Sequence, residues 1–249
     1  MLIDTHLHLE NDNKVNTIIN EAFVNGVERL IISGCDKKGI EDALEIIKNN
    51  DNVYATIGFH PSEVTLVTDN DLESLKDILK SNLKIVGVGE IGLDYHYGKD
   101  DRSEQLELFE AQLKIAQELE MPVVIHSRDA FQDTYDCLKK YNLNGVIHCF
   151  NGSIEVANLY IKLGYCLGIG GVITFKNSKL FTVVENIPLE NIVLETDSPY
   201  LAPEPYRGST NSPKYIPIIV DKISSIKKVS TKEVEKITTN NVFRIFDLK

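Results

Sequence analysis

Six side chains of metal-binding type stand at or just after short apolar runs of the sequence. Four are histidines, and the first two of these, His6 and His8, are separated by a single residue. In an extended strand, residues two apart point to the same side, so His6 and His8 can reach one ion together. Imidazole and carboxylate groups suit Zn²⁺, Mn²⁺ or, with fewer nitrogens, Mg²⁺. The predicted metal ligands are His6, His8, Glu90, His126, His148 and Asp197.

Glu90 is the residue best suited to join two cations. A shared carboxylate is the usual means of holding two metal ions about 3.5–4 Å apart for phosphoryl chemistry. A single strand-end histidine is more often structural than a ligand, and strand-end acids often cap helices. The joint occurrence of six such residues in one pattern is what favours a site for two divalent metal ions.

The pattern of the chain indicates which elements must position these residues. Short apolar runs alternate with amphipathic stretches throughout, as in repeated βα units around a parallel sheet. At 249 residues, of which 43% are hydrophobic, the chain has the usual size of one α/β barrel. We predict an α/β fold, a single (β/α)8 TIM-type barrel that forms one hydrolase domain over 1–249, with an extra C-terminal helix at 231–246. The predicted strands are 2–5, 29–33, 53–57, 85–88, 123–126, 145–148, 166–169 and 192–195.

All six predicted ligands lie at the carboxyl ends of predicted strands, or just after them. In a TIM barrel those ends form one face, and active sites are built there. His6 and Asp197, nearly two hundred positions apart in the sequence, would then meet. The pattern therefore predicts an enzyme with a metal centre at that face.

Charge and composition limit the classes of partner and compartment. A net charge of −11 argues against broad electrostatic binding to nucleic acid, yet allows an enzyme that grips a few phosphates beside bound cations. The first residues include no basic region followed by an apolar segment, so a cytoplasmic protein without membrane association is expected. The four cysteines form no CxxC pair and are expected to be reduced. Since no heptad pattern or exposed apolar repeat is evident, a monomer is expected.

Several motifs give the chain a family resemblance. Residues 4–9, DTHLHL, resemble the opening metal motif of the amidohydrolase superfamily. Together with five later segments they resemble the TatD family of metal-dependent deoxyribonucleases, in order and over essentially the whole chain. Those segments are GFHP at 58–61, GEIGLDY at 89–95, PVVIHSR at 122–128, HCFNG at 148–152 and ETDSPYL at 195–201.

The resemblance implies a fold, a reaction and a substrate. It implies a (β/α)8 barrel, metal roles for the same six residues, and hydrolysis of phosphodiester bonds in DNA, expected as 3′–5′ exonuclease action on single-stranded DNA. Many members of the wider superfamily use a modified lysine at another position where this chain has Glu90, and that departure is typical of the TatD branch.

We predict a division of labour among the ligands. One cation would be held by His6, His8, Glu90 and Asp197, and the other by Glu90, His126 and His148. Water bound to such ions becomes a nucleophile near neutral pH, its pKa falling toward about 7 in the best zinc sites. Glu90 and Asp197 are therefore predicted to be catalytic, and by analogy with the superfamily Asp197 would orient the attacking water or accept its proton.

Other residues on the same face are predicted to contact the substrate. His60 would protonate the leaving oxygen or hold substrate, and a structural role in its loop is equally open. Arg128 and Arg207 follow strands five and eight, where a guanidinium group can grip two phosphate oxygens. His96 is a predicted nucleic-acid contact. Aromatic residues that could stack on bases, or instead cover the core, are Tyr95, Tyr97, Phe150 and Tyr200.

Two alternative functions stay open. The same two-metal hydroxide could hydrolyse an amide, a lactone or an ester, including an aminoacyl ester on RNA, because polarising a carbonyl needs the same ligands. A barrel that binds nucleic acid or a partner without turnover would have lost metal ligands, and none is missing from the sequence.

Overall fold

The structure is a computed structural model that describes residues 1–248. Eight parallel strands follow one another in chain order around a barrel, and a helix follows each strand. This confirms the predicted α/β barrel. The strands are β1 Leu2–Leu7, β2 Val27–Gly34, β3 Val53–Ile57, β4 Ile85–Asp94, β5 Val123–Arg128, β6 Gly145–Ile147, β7 Tyr165–Ile169 and β8 Ile192–Leu194.

The helices pack around the outside of the strands, and their apolar residues form the main core with the outward face of the sheet. Within the described residues, none of them is long and apolar enough to cross a bilayer. The helices are α1 Val15–Val24, α2 Lys37–Asn49, α3 Asp69–Ser81, α4 Arg102–Glu118, α5 Phe131–Leu138, α6 Ile154–Lys162, α7 Leu180–Asn186, α8 Ile216–Lys227 and α9 Thr231–Ile245.

The first and last strands meet along a seam that closes the barrel. The Asp197 amide donates a hydrogen bond to the His6 carbonyl at 3.0 Å, and the His8 amide donates to the Ser198 carbonyl at 2.7 Å. Asp197 and Ser198 lie beyond the last residue of β8, so the pairing of the two chain segments continues past the end of that strand. Buried backbone groups need such hydrogen-bond partners. These bonds hold His6 and His8, the first predicted ligands in the sequence, next to Asp197, the last one.

The amino end of the barrel is filled by apolar side chains and closed by the extra helix. Val242, Ile245 and Phe246 at the end of α9 join one residue from each strand in a single cluster. The sequence predicted this helix, but gave no sign that its end would close the bottom of the barrel. The residues from the strands are Ile3, Ile31, Tyr54, Val86, Val124, Val146, Cys166 and Val193.

This apolar layer forms the floor of the candidate site. Because alternate residues of a strand share a face, the residues two positions after layer members also point inward. His126 stands two residues after Val124, and His148 stands two residues after Val146. Glu195 stands two residues after Val193, the layer residue of β8. These inward-pointing polar side chains, which we call the polar cluster, therefore lie directly on the apolar floor.

The fourth strand differs most from its predicted bounds. It was expected to end at residue 88, but β4 continues to Asp94, and its pairing with β5 is irregular between Val88 and Ile91. Glu90 therefore lies inside a strand rather than after one, and it is only 3% exposed. The longer strand also carries Asp94 to the edge of the site.

Candidate metal centre

A single buried carboxylate, that of Glu90, lies at the centre of the polar cluster. Its Oε1 atom is 2.7 Å from His126 Nδ1 and 3.2 Å from His148 Nε2. Its Oε2 atom is 3.4 Å from His6 Nε2 and 3.7 Å from His8 Nε2. Four imidazoles from the ends of β1, β5 and β6 thus face one carboxylate, which is the geometry expected of a bridging ligand.

Asp197 faces the same pair of histidines from the β8 side. Its Oδ1 atom is 3.5 Å from His8 Nε2 and 3.9 Å from His6 Nε2. The backbone of Asp197 has φ of 54°, in the left-handed region that non-glycine residues seldom occupy. Such conformations persist where the surroundings enforce them, often at functional sites, and here the bond from its amide to the His6 carbonyl does so.

The potential ligand atoms form three groups of three, in each of which the atoms lie within 4.8 Å of one another. The structure brings together all six predicted ligands and adds His60. The grouping differs in part from the predicted division, because His148 also lies with His6 and Asp197. The groups are His6 with His8 and Glu90, His6 with His148 and Asp197, and His60 with Glu90 and His126.

This set of donors fits divalent cations better than it fits internal hydrogen bonding. The Nε2 atoms of His6 and His8 face each other at 3.3 Å while both face the Glu90 carboxylate. A neutral imidazole has one donor and one acceptor nitrogen, so these contacts cannot all be hydrogen bonds. The buried Nδ1 atom of His6 also lacks a hydrogen-bond partner among the described residues. Because buried charges are normally paired or bound to metal, the six residues fit a cation site.

The electrostatics of the cluster keep its carboxylates ionised. Burial acts to raise the pKa of Glu90, but the nearby charges of His148 and His6 hold it well below its usual range. Burial likewise opposes ionisation of Asp197, and its hydrogen bond with His8 lowers its pKa nonetheless. Two anionic carboxylates at neutral pH are what a divalent cation needs.

His60 lies at the edge of the cluster, ahead of a short 3₁₀ helix at Pro61–Glu63. Its Nδ1 atom accepts a hydrogen bond from the Ser62 amide at 3.1 Å, and its Nε2 atom is 4.0 Å from Glu90 Oε1. Burial lowers the pKa of His60 to about 4. Because the imidazole is uncharged at neutral pH, this favours a role in holding a ligand over donation of a proton.

Two carboxylates behind the histidines were not assigned a role from the sequence. Asp94 Oδ2 is 3.1 Å from His126 Nε2, and Glu195 Oε1 is 3.4 Å from His148 Nδ1. Carboxylates placed behind metal-binding histidines fix the orientation of the ring. Both residues stand within motif segments, and the signal for Glu195 was its spacing of two residues from Asp197. Asp94 was missed because the fourth strand was expected to end earlier.

The three predicted substrate contacts lie on the rim and are exposed. The Arg128 guanidinium is 5.6 Å from the Tyr97 ring centroid, and that of Arg207 is 4.5 Å from the ring of Phe175. His96 Nδ1 is 3.1 Å from a carboxylate oxygen of the loop between β5 and α5. The structure does not bring them into the metal cluster, and their contact with substrate stays a prediction.

Removal of divalent metal should lower the thermal stability of the protein. A ligand at 100 times its Kd stabilises the folded state by about 2.7 kcal/mol, which is on the order of 5–10 °C in Tm for a chain of this size. We expect this difference between chelated protein and protein reloaded with Mn²⁺ or Zn²⁺ in differential scanning calorimetry. Glu90→Gln should lose most of the increase. Equal Tm values for the chelated and reloaded wild-type protein would contradict a metal centre at this cluster.

Comparisons with known proteins agree with this centre. A family model described as TatD related DNase matches residues 3–247. The chain is 39% identical to the uncharacterized metal-dependent hydrolase YabD of Bacillus subtilis (strain 168), over 99% of each. Its fold is similar to that of YjjV, a TatD homolog from Escherichia coli K12, with a TM-score of 0.92 and 30% identity over 99% of this chain and 98% of that one.

A second solved structure extends the similarity to a eukaryote. A TatD family hydrolase from Entamoeba histolytica matches with a TM-score of 0.89 and 26% identity, over 100% of this chain and 98% of that chain. The resemblance seen in the motifs is therefore confirmed along the whole chain. On the family match and on these relatives, this chain belongs to the TatD-related DNase family and is a metal-dependent hydrolase.

Proposed function

We propose that the protein is a deoxyribonuclease that hydrolyses phosphodiester bonds of DNA, acting as a 3′–5′ exonuclease on single strands with two divalent ions of Zn, Mg or Mn. The observation that carries this proposal is the Glu90 carboxylate, which is shared by four imidazoles while Asp197 faces two of them. A shared carboxylate between two cation positions is typical of enzymes of phosphoryl chemistry. The family description supports DNA as the substrate.

The residues of the chain would divide the work by position. Bound cations supply a nucleophilic water near neutral pH and positive charge beside the phosphate oxygens. Glu90, ionised and buried, would hold both cations through its carboxylate. Asp197 is ionised as well, so its carboxylate would accept a hydrogen bond from the attacking water and orient that water toward phosphorus.

Rim residues would hold the polynucleotide. Arg128 and Arg207 lie after β5 and β8 with exposed guanidinium groups, and such groups pair well with phosphate oxygens. His96 is exposed on the same side of the rim as Arg128, and an imidazole N–H there would donate a hydrogen bond to a phosphate oxygen of the DNA strand. His60, between the rim and the cluster, would hold the leaving part of the substrate.

Cleavage of an end-labelled single-stranded DNA oligonucleotide tests the proposal. Metal-stripped protein, resupplied separately with Mg²⁺, Mn²⁺ or Zn²⁺, should give a ladder of shortened products whose labelled ends report the polarity. Glu90→Gln should give no ladder with any ion, because an amide cannot replace the shared anion. If the folded wild-type protein binds metal and hydrolyses simple esters but cuts no DNA, hydrolysis of a carbonyl substrate replaces the proposal.

A further inference from the structure

The structure divides the four aromatic residues of the motif region into two pairs. Tyr95 and Phe150 are each only 5% exposed and belong to the main core. Tyr97 and Tyr200 are 88% and 61% exposed. Covering the core therefore accounts for the first pair and leaves the second pair without a structural role of that kind.

Tyr200 is held in place although most of its ring is exposed. Its amide donates a hydrogen bond to the Asp197 carbonyl at 2.9 Å, and its carbonyl accepts one from Asn211 Nδ2 at 2.6 Å. Asn211 is itself 4% exposed and its Nδ2 also donates to the Thr196 carbonyl at 2.7 Å. Both sides of the Tyr200 backbone are thus tied to the segment that carries the proposed metal ligand.

The ring of Tyr200 stands directly beside the metal centre. Its centroid is 6.1 Å from that of His8, with the ring planes at 67°. His8 Nε2 in turn is within 3.7 Å of both central carboxylates, Glu90 and Asp197. An exposed aromatic face is therefore presented next to the position where the scissile phosphate would lie.

We propose that Tyr200 forms a stacking subsite for the nucleobase next to the scissile phosphate. Base–aromatic stacking is largely independent of sequence because every base has a π-face, so it suits an enzyme without sequence preference. In a duplex the faces of an internal base are covered by its neighbours, so the subsite selects unpaired or frayed ends. This inference rests on the proposed nuclease function and deepens it.

The opposite wall of the barrel agrees with an extended, anionic ligand. In a ring of eight strands, β4 and β5 lie across from β8 and β1. There Tyr97 is exposed and the Arg128 guanidinium lies 5.6 Å from its ring. A single DNA strand that begins on Tyr200 and crosses the metal centre would meet the Tyr97 ring and the Arg128 guanidinium on the opposite wall. A small ester or lactone would not reach both walls.

Single-stranded oligonucleotides compared in matched pairs test the subsite. Each pair has a normal nucleotide or an abasic one at a position that flanks the cleaved bond. We expect wild-type kcat/KM to fall about 10-fold at one of the two positions, mainly through KM, as is typical for the loss of one stacked base. Tyr200→Leu should show the lower value on both members of that pair, and Tyr200→Phe should keep the preference of the wild type.

A control variant and a binding measurement separate stacking from general damage. Phe243 is also an exposed aromatic near an arginine, at 42% exposure and 5.3 Å from Arg29, but it lies on α9 at the other end of the barrel. Phe243→Leu should keep the preference. With an oligonucleotide whose bridging oxygens are replaced by carbon so that it cannot be cleaved, 2-aminopurine at the sensitive position should be quenched on binding to metal-loaded wild-type protein, and Tyr200→Leu should abolish the quenching.

Distinct outcomes identify which idea fails. If wild-type protein cleaves normal and abasic substrates equally at both positions, or if Tyr200→Leu keeps the preference and the quenching, the stacking subsite is wrong while the nuclease function stands. If no variant binds or cleaves either oligonucleotide, although the protein hydrolyses simple esters, the nuclease function fails and the subsite fails with it.

Discussion

Replacing Asp197 with asparagine will remove most turnover and leave the barrel folded. Asparagine has nearly the same shape, and the bond from the residue 197 amide to the His6 carbonyl does not depend on the side chain. The amide has lost the negative charge that faces His8 and His6, and it cannot take a proton from the attacking water. General acid–base roles contribute about 10²–10⁴-fold, so we expect a fall in kcat of that order.

The measurement is single-turnover cleavage of the labelled oligonucleotide, with Tm and bound metal determined on the same samples. Asp136→Asn serves as the control, because its carboxylate lies on the outer helix α5, is 46% exposed and contacts Lys139 and Gln132 rather than a residue of the site. The control should keep wild-type turnover. Undiminished kcat in Asp197→Asn would remove the residue from the mechanism.

Local patterns were sufficient to predict the barrel from the sequence. Each strand carries a short apolar run that is buried on both faces, and such a run can be recognised in the sequence from its residue types alone. The closure of the barrel's amino end by Phe246 and its neighbours on α9 could not be predicted, because it depends on where a helix docks after eight units have assembled. The full length of β4 was missed for a related reason. Glycine and glutamate near residue 90 look like the end of a strand unless the pairing partner is known.

The candidate site was predictable to the extent that its chemistry is carried by residue type. Histidine and acid at strand ends identify the cluster around Glu90, which the structure then brings together. Asp94 and Glu195 could not be recognised by type alone, since an acid behind a histidine looks like any helix cap or surface acid. The same limit applies to Tyr200. Only its exposure and its distance from His8 distinguish it from the buried Tyr95.

Gly168→Ala should weaken metal binding by displacing the Glu195 carboxylate, which lies behind His148. Gly168 lies in β7 and faces the barrel interior, two residues after the layer residue Cys166. A Cβ atom there would stand 2.0 Å from Glu195 Oε2 and 2.6 Å from its Cδ. Glu195 has no exposed surface and its Oε1 accepts a hydrogen bond from the Cys149 amide at 2.6 Å, so it has little room to move. Gly168→Ala should therefore displace the carboxylate from His148.

The expected result is a loss of metal affinity of about 10- to 100-fold, the usual effect of removing a carboxylate behind a ligand histidine. Overpacking should also destabilise the fold by about 1–3 kcal/mol. Metal titration by calorimetry and thermal unfolding measure the two effects separately. Gly39→Ala is the control, because its added Cβ would meet nothing closer than 3.5 Å and an alanine in α2 favours the helix.

A double-mutant cycle decides whether Glu195 is the cause. If the methyl group acts by displacing this carboxylate, Gly168→Ala should reduce metal affinity strongly in the wild type and hardly at all in a Glu195→Ala background, where the clash is absent. Additive losses in the double variant would mean that Gly168 acts through another part of β7. Wild-type affinity in Gly168→Ala would show that the carboxylate can leave its place without consequence, and Glu195 would then have no role in holding His148 toward the metal.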